Sequence, residues 1–283
     1  MRYSVTLTTI LAASLWFAPV HAQDATGTTT SSLGLNEKLK QVYDLYRSGE
    51  VVTLKEHEVR VGLGLGYTIN ESRVLSYQDT ARTLATTGTF SYGVTNGTEI
   101  LLAVPFTYQA HTAGDTQTTL LDTHHAGLGD VAVGLATSLP VPWFSTTGLV
   151  SVTFPTASNV LRSDGLGSNG ITSTIGFNVD KILQPAFVYG GLNWQRDWGY
   201  SKDGIGYTAG IGFFLNYALS VGTELDGIYI INPNKGVPHD RVSLVGKVSY
   251  QATPTVGFMP FIGVDLVGNA PGVQLGARLA WRF

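Results

Sequence analysis

The chain has no cysteine and few charged residues, since Asp, Glu, Lys and Arg together make up 13% of its 283 residues. About 25% is usual for a soluble globular domain, so a soluble protein of this composition would have little charge to cover its surface. The absence of cysteine agrees with an export route on which stray thiols would be oxidised. The formal net charge of −3 gives no sign of a nucleic-acid-binding surface.

Long apolar runs are also missing. Beyond the first 22 residues no stretch approaches 18 consecutive apolar residues, which excludes membrane-spanning helices. The hydrophobic share is nevertheless 43%, and the chain contains 34 glycines. High apolar content that never gathers into long runs is typical of strands that alternate between lipid and a lumen. The composition therefore favours a protein that crosses a membrane with strands.

The last twelve residues, 272–283, alternate between apolar side chains and polar or small ones. A period of two predicts a strand with one apolar and one polar face. The strand ends on Phe283 and resembles the closing strand of bacterial outer-membrane β-barrels, whose final aromatic residue is part of an assembly signal. The resemblance implies that Trp281 and Phe283 are recognised by the barrel-assembly machinery. We expect Arg278 and Arg282 to point into a lumen and Trp281 to lie at the lipid interface.

The first 22 residues are typical of a secretory signal peptide. Arg2 supplies the positive start, residues 7–20 form a short apolar region, and a small-x-small cleavage site precedes Gln23. The mature protein is therefore predicted to leave the cytoplasm. Because no cysteine stands at the cleavage point, it is not predicted to be a lipoprotein.

Residues 23–50 are predicted to form a flexible Thr/Ser/Gly leader followed by one amphipathic helix at 35–49. The helix is indicated by apolar residues at helical spacing: Leu35, Leu39, Val42, Leu45 and Tyr46. A lone helix of this length is marginal in water and needs a surface to lie against. Three placements stay open: a periplasmic cap docked on a barrel mouth, a plug inside the lumen, or a short coiled coil between protomers.

From residue 51 to the end, the sequence shows twelve segments with a period of two. They are 59–69, 84–94, 100–108, 131–139, 148–154, 171–179, 186–194, 205–215, 219–229, 242–250, 256–266 and 273–283. Long connections, predicted as outer loops at 70–83, 109–130, 155–170, 195–204 and 230–241, alternate with short ones such as the hairpin signal Asn96-Gly97. An even strand number and this alternation predict an all-β fold, a twelve-stranded antiparallel transmembrane β-barrel over 51–283 with a short N-terminal helix. The predicted location is the bacterial outer membrane, with both barrel ends of the chain in the periplasm.

The alternate residues on the polar face of each strand are predicted to line the lumen. The charged residues among them are Arg60, Glu99, Asp130, Glu224, Asp226, Lys247, Asp265, Arg278 and Arg282. Facing side chains on adjacent strands are close enough to pair, so we expect Asp265 to pair with Arg278, and Glu224 or Asp226 with Lys247. The set is either an interior ladder of ion pairs that stiffens the wall or a weakly selective constriction. Twelve strands lined with small residues predict a narrow cavity, unless the N-terminal helix occupies it.

Apolar and aromatic residues in the predicted outer loops suggest a capture site for a hydrophobic or aromatic solute. They are Trp198 and Tyr200, with Leu120, Leu121, Val160 and Leu161 at other loop tips.

No motif assigns a catalytic residue, a metal ligand or a cofactor. The Gly-x-Gly-x-x-Gly match at 165–170 lacks the preceding strand and following helix of a nucleotide site. His124 and His125 are explained by a solvated loop, so the chain is predicted not to be an enzyme.

Three segments, 127–135, 177–191 and 217–226, resemble the outer-membrane transporter family labelled for the meta-pathway of phenol degradation. The resemblance implies a barrel that passes small, often aromatic or apolar, compounds. The chain is also similar to trimeric channels that export functional-amyloid subunits and carry an N-terminal helical region ahead of a twelve-stranded barrel.

The expected function is passive passage of small solutes through the outer membrane, with gating by the N-terminal helix. Two alternatives stay open: a secretion channel for a polypeptide such as an amyloid subunit, and a structural or adhesive barrel with a blocked lumen. The expected partners are outer-membrane lipid, the assembly machinery and a small-molecule solute. No nucleic acid is expected, and a homo-oligomer is left open.

Overall fold

A computed structural model describes residues 53–74, 77–115, 118–163, 167–168, 170–199, 202–231, 240–267 and 272–283. The predicted signal peptide, leader and amphipathic helix lie outside the described residues, as does Tyr200. In the described part of the chain, no helix is long and apolar enough to span a membrane.

The described part of the chain consists mainly of strands. They are β1 (Val59–Val74), β2 (Tyr77–Thr95), β3 (Thr98–Asp115), β4 (Thr118–Leu128), β5 (Val131–Leu139), β6 (Ser145–Phe154), β7 (Thr172–Ile182), β8 (Ala186–Asp197), β9 (Lys202–Phe214), β10 (Leu219–Ile231), β11 (Asp240–Thr253), β12 (Val256–Val267) and β13 (Gly272–Arg282). One short helix, α1 (Asn159–Ser163), lies between β6 and β7.

These strands form one closed antiparallel sheet. Strand β1 pairs with β2 on one side and with β13 on the other, so the last strand closes the ring onto the first. Strands β4 and β5 both pair with β3, β4 along its second half and β5 along its first, so they share one position in the wall. The wall therefore has twelve strands, and the predicted twelve-stranded barrel is confirmed.

The junction between β4 and β5 is a bulge in this shared position. In the pairing with β3, Leu128 lies opposite Phe106 and Ala132 lies opposite Ala103. Between these two pairs, three residues of the β4–β5 side face two residues of β3, so the β4–β5 side has one extra residue. Pro105 of β3, which has no N–H, lies opposite, and its carbonyl accepts a hydrogen bond of 2.8 Å from the Gly129 amide. The extra residue shifts the alternation of side chains along the wall.

The predicted loops 70–83 and 109–130 are wrong in length, because most of their residues continue the strands. The β1–β2 ladder runs to Val74 and Tyr77, and the β3–β4 ladder to Asp115 and Thr118. About 9–11 residues suffice for a strand to cross a bilayer, whereas β2 has 19 and β3 has 18. The extra length is polar on both faces and carries no apolar alternation, so the sequence pattern did not show it as strand.

The outer face of the barrel is apolar and exposed. Val61, Leu63 and Leu65 of β1 are 38%, 47% and 49% exposed, and apolar residues on the outward face of other strands, such as Phe90 and Leu135, continue the same surface. The inner face holds buried polar side chains, among them Glu224 and Lys247. This is the reverse of a soluble protein and is typical of a barrel that faces lipid.

Candidate functional site in the barrel lumen

The nine charged residues predicted to line the lumen all lie on the inward parity of the wall. Eight of them lie within strands, and Asp130 lies in the bulge between β4 and β5. Glu99, Asp130, Glu224, Lys247 and Arg278 are buried. The charged lining is organised in four groups along the barrel.

The first group lies at the end of the barrel that holds the chain termini. Here residues 53–58, which we call the N-terminal strap, lie against the inner side of β3 and β5. The Glu99 carboxylate is fully buried and accepts hydrogen bonds from the Leu54 amide (3.1 Å) and from the Arg60 guanidinium (2.9 Å). The Thr53 hydroxyl lies 3.2 Å from that of Ser138 on β5. The chain therefore enters the wall from inside the barrel mouth.

The strap approaches the wall closely because glycine stands opposite it. A Cβ atom on Gly93 would lie 1.9 Å from the Lys55 carbonyl oxygen. The Gly93 amide donates to the Glu58 carbonyl (2.9 Å), and its carbonyl accepts from the His57 amide (2.9 Å). Backbone contact of this kind requires glycine at position 93.

The second group is a buried network that crosses four neighbouring strands, β8 to β11. Glu224 and Lys247 form an ion pair whose side chains are 0% and 1% exposed. The Tyr189 hydroxyl donates to the other carboxylate oxygen of Glu224 at 2.9 Å. Beside it, the Thr208 hydroxyl donates to Asp226 at 2.7 Å. Of the two partners considered for Lys247, the structure shows Glu224.

The third group lies towards the opposite end, which we call the loop end. Asp265 accepts hydrogen bonds from the Arg241 guanidinium (2.8 Å) and the Ser243 hydroxyl (2.6 Å). The structure thus gives Asp265 a different partner from the expected Arg278. The Arg278 guanidinium lies over the ring of Phe261, 5.7 Å from its centroid. Arg241 was missed because the sequence pattern placed it in a loop, although it shares the parity of Ser243 and Lys247.

The fourth group joins the wall to the connection between β6 and β7. Asp130 accepts hydrogen bonds from the Ala157 amide (3.0 Å) and from the Ser168 hydroxyl (2.8 Å). Leu161 of α1 is fully buried. The expectation that Leu161 lies at an exposed loop tip is therefore wrong, since this connection folds inward.

Two further lumen-facing groups were not identified from the sequence. His111 and Asp79 lie in the extended parts of β3 and β2, where the His111 Nε2 atom is 2.6 Å from a carboxylate oxygen of Asp79. Asp180 of β7 is buried on the same parity as Asn178. If the alternation is continued past the predicted strand ends, it identifies His111, Asp79 and Asp180 as inward residues. Within the described ranges, no group of three or more His, Asp or Glu residues could hold a metal ion.

Trp198, which was expected at a solute-capture site, packs against the outside of the barrel. Its ring stacks on the Arg196 guanidinium at 4.8 Å, and its Nε1 donates to the Ser173 hydroxyl at 3.0 Å. Arg196 and Ser173 have the outward parity of β8 and β7, and Arg196 also pairs with Asp203. The position at the rim suits an aromatic anchor at the lipid interface.

The end of the chain takes part in closing the barrel. The Phe283 amide donates to the Val59 carbonyl (2.8 Å), and the Val59 amide donates to the Phe283 carbonyl (3.1 Å). The Phe283 side chain is 75% exposed, and Trp281 has the lipid-facing parity of Val273 and Leu275. Recognition of these aromatic residues by assembly machinery stays a prediction.

A closed barrel with an apolar exterior and a buried, charged interior defines an integral membrane β-barrel protein. Solved structures similar to this chain share that architecture. One is the COG4313 outer membrane channel from Pseudomonas putida F1, with a TM-score of 0.60 and 14% identity over 82% of this chain and 97% of that one. Another is the translocator domain of the autotransporter NalP from Neisseria meningitidis, with a TM-score of 0.51 and 12% identity over 89% and 96%.

The fold is therefore that of bacterial outer-membrane β-barrels, as the sequence predicts, and the outer membrane is the location such a fold occupies. No protein-family model matches the chain, and no curated protein sequence matches it. The resemblance to one particular transporter family, and that to amyloid-subunit channels, accordingly stay predictions.

Proposed function

We propose that the protein is a channel for passive passage of small solutes across the outer membrane. The observation that carries the proposal is the polar lumen, in which fixed charges of opposite sign are paired. Arg60 pairs with Glu99, Lys247 with Glu224 and Arg241 with Asp265. Paired charges of this kind keep the wall of a solute path polar without giving it a large net charge. Because the pairs neutralise one another, the channel should discriminate weakly between anions and cations.

Apolar or aromatic solutes are the finer proposal. Its support is Phe261 on the inner wall, whose ring is only partly buried. This ring offers apolar contact beside the charged groups. The terminal end, which holds the N-terminal strap, faces the periplasm in this proposal, because single-chain barrels of this type have short turns on that side.

Gating by the N-terminal segment is also part of the proposal. Its support is the N-terminal strap, because Thr53 and Leu54 are fastened on the lumen side of the mouth. Whatever precedes residue 53 therefore starts at the lumen entrance. The predicted helix at 35–49 can lie across that entrance or enter it.

Single-channel conductance in planar bilayers tests the proposal. The mature protein is compared with a variant that lacks residues 23–50 and keeps the N-terminal strap. We expect the full-length protein to conduct poorly and the truncated protein to form a stable pore. Equal conductance would make the helix a periplasmic cap and contradict gating. No conductance in either protein would contradict the channel and favour a structural barrel with a blocked lumen.

A polypeptide path is distinguished by size in the same system. Uptake of neutral sugars of increasing mass into liposomes gives the size limit of the truncated protein. A limit at small sugars supports the solute channel. Free passage of an unfolded peptide would instead favour the secretion alternative.

A further inference from the structure

We propose that the inner segment, defined as residues 156–163 with 167–168, is a fixed constriction of the lumen, and that Asp130 is the positioning residue that holds it there. The inference rests on the proposed channel function and names the part of the chain that sets its size limit.

The latch is the buried carboxylate of Asp130. One of its oxygens accepts a hydrogen bond from the Ala157 amide at 3.0 Å. The other accepts from both the amide (2.5 Å) and the hydroxyl (2.8 Å) of Ser168. One side chain thus holds both ends of the inner segment, and hydrogen bonds to a charged acceptor are roughly twice as strong as neutral ones.

The bulge between β4 and β5 is what makes this latch available. Its extra residue turns Asp130 to the inward parity and leaves the neighbouring backbone without a regular ladder partner. The Thr156 hydroxyl satisfies that backbone, since it donates to the Gly129 carbonyl (2.8 Å) and accepts from the Val131 amide (3.0 Å). The start of the inner segment is therefore fastened to the bulge on both sides of Asp130.

The middle of the inner segment packs on the wall through Leu161 of α1. Leu161 is 0% exposed and Ala157 is 3% exposed. A Cβ atom on Gly127, which faces the lumen from β4, would lie 2.9 Å from Leu161 Cδ1. Gly127 thus provides the space in which Leu161 sits, and any larger side chain there would push α1 away from the wall.

These contacts place a turn of helix on the inner side of β4, inside the ring of strands. A closed wall of twelve strands has a fixed diameter. Any segment that lies on its inner face therefore subtracts from the cross-section left for a solute. The segment is held by a carboxylate, a hydroxyl and one apolar side chain, so it can be released without changing a strand.

Release of the latch is tested with Asp130→Asn in the variant that lacks residues 23–50. Asparagine has only one acceptor oxygen, so it can hold either the Ala157 end or the Ser168 end. The other end then faces the NH2 group and should detach. The matched control is Asp203→Asn, because Asp203 is also a strand carboxylate held by an ion pair, but it lies on the outward face and bonds to Arg196 of the wall. We expect Asp130→Asn to raise single-channel conductance and shift the sugar size limit upward, and Asp203→Asn to leave both unchanged.

An engineered disulfide distinguishes two explanations of a raised size limit: release of the inner segment and a general loosening of the barrel. The chain has no cysteine, so Gly127→Cys with Leu161→Cys adds the only thiols. In the Asp130→Asn background, we expect oxidation to bring the size limit back towards that of the parent and reduction to raise it again. A merely structural effect of Asp130→Asn would not respond to the redox state.

The inference is overturned if Asp130→Asn and its control share the size limit of the parent while the parent conducts. It is also overturned if the disulfide forms and leaves the raised limit unchanged. If neither the parent nor any variant conducts, the proposed channel function itself fails.

Discussion

Glycines on the inner face of the barrel make room for aromatic rings from the neighbouring strand. A Cβ atom would lie 2.2 Å from Tyr189 at Gly210, 2.1 Å from Phe187 at Gly212 and 2.3 Å from Phe261 at Gly276. Each ring therefore lies flat along the wall rather than across the lumen. An aromatic ring that lies over a strand glycine in this way covers the backbone of that strand and adds little thickness to the wall.

The first prediction concerns Gly210→Ala. The added methyl group displaces the Tyr189 ring, which also weakens its hydrogen bond to Glu224, so we expect a loss of about 1–3 kcal/mol in the free energy of unfolding. Urea titration of the folded barrel in detergent micelles measures it.

Gly66→Ala is the matched control, because Gly66 is also an inward strand glycine and a Cβ atom there meets nothing within 4 Å. We expect it to be neutral, or stabilising by about 0.5–1 kcal/mol, since glycine weakens a strand interior. Equal losses for both variants would show that ring placement is not what Gly210 provides.

At the scale of elements, ion pairs connect neighbouring strands across the lumen face. Lys247 of β11 pairs with Glu224 of β10, and Arg241 of β11 pairs with Asp265 of β12. Strand β11 is thus joined on both sides by buried charges. Such pairs fix the register of strands, because a slip by one residue would turn a charge towards lipid.

The second prediction is that Lys247→Met destabilises the barrel strongly. Removal of the ammonium leaves the Glu224 carboxylate, which is 0% exposed, without its ion-pair partner. Breaking a buried pair in this way costs about 3–5 kcal/mol.

The double variant Lys247→Met with Glu224→Gln is the control. It removes both charges and keeps the Tyr189 hydroxyl partnered, so we expect a clearly smaller loss than for Lys247→Met alone. Unfolding free energies of the two single variants and the double variant complete the cycle. Additive losses would contradict the ion pair as a coupled unit.

At the scale of the whole molecule, the distribution of polarity decides where the barrel sits. Val150 lies at the middle of β6 and is 50% exposed, and Phe154 lies at its loop end and is 43% exposed. Both have the outward parity. In a bilayer the first faces the hydrocarbon centre and the second lies close to the interface.

The third prediction compares Val150→Arg with Phe154→Arg. An arginine on the lipid face costs about 2–4 kcal/mol at the midplane and about 0–1 kcal/mol near the interface. We therefore expect the loss of unfolding free energy to be larger at 150 than at 154, although Phe154→Arg also removes a larger apolar side chain. Unfolding from lipid vesicles measures both, and a larger loss at 154 would contradict the assigned depth.

The barrel itself was predictable from particular residues. The alternation of Val61, Leu63 and Leu65 with glycines identifies a lipid-facing strand, and the same parity along β13 places Arg278 in the lumen. Period two is a local property of the chain, so it can be counted without knowing the partners. The extended parts of β1 to β4 were not predictable in this way, because strands polar on both faces have no periodic apolar signal.

Alternation along single segments was enough to predict the class of fold, the strand number in the wall and nine of the inward charged residues. Which charges meet, why Asp265 binds Arg241 and why Asp130 binds the inner segment became visible in the three-dimensional contacts alone. The bulge at Gly129 and Asp130 and the inward course of Leu161 depend on residues far apart along the chain. Such contacts are set by register, curvature and space inside the closed ring, which no local pattern contains.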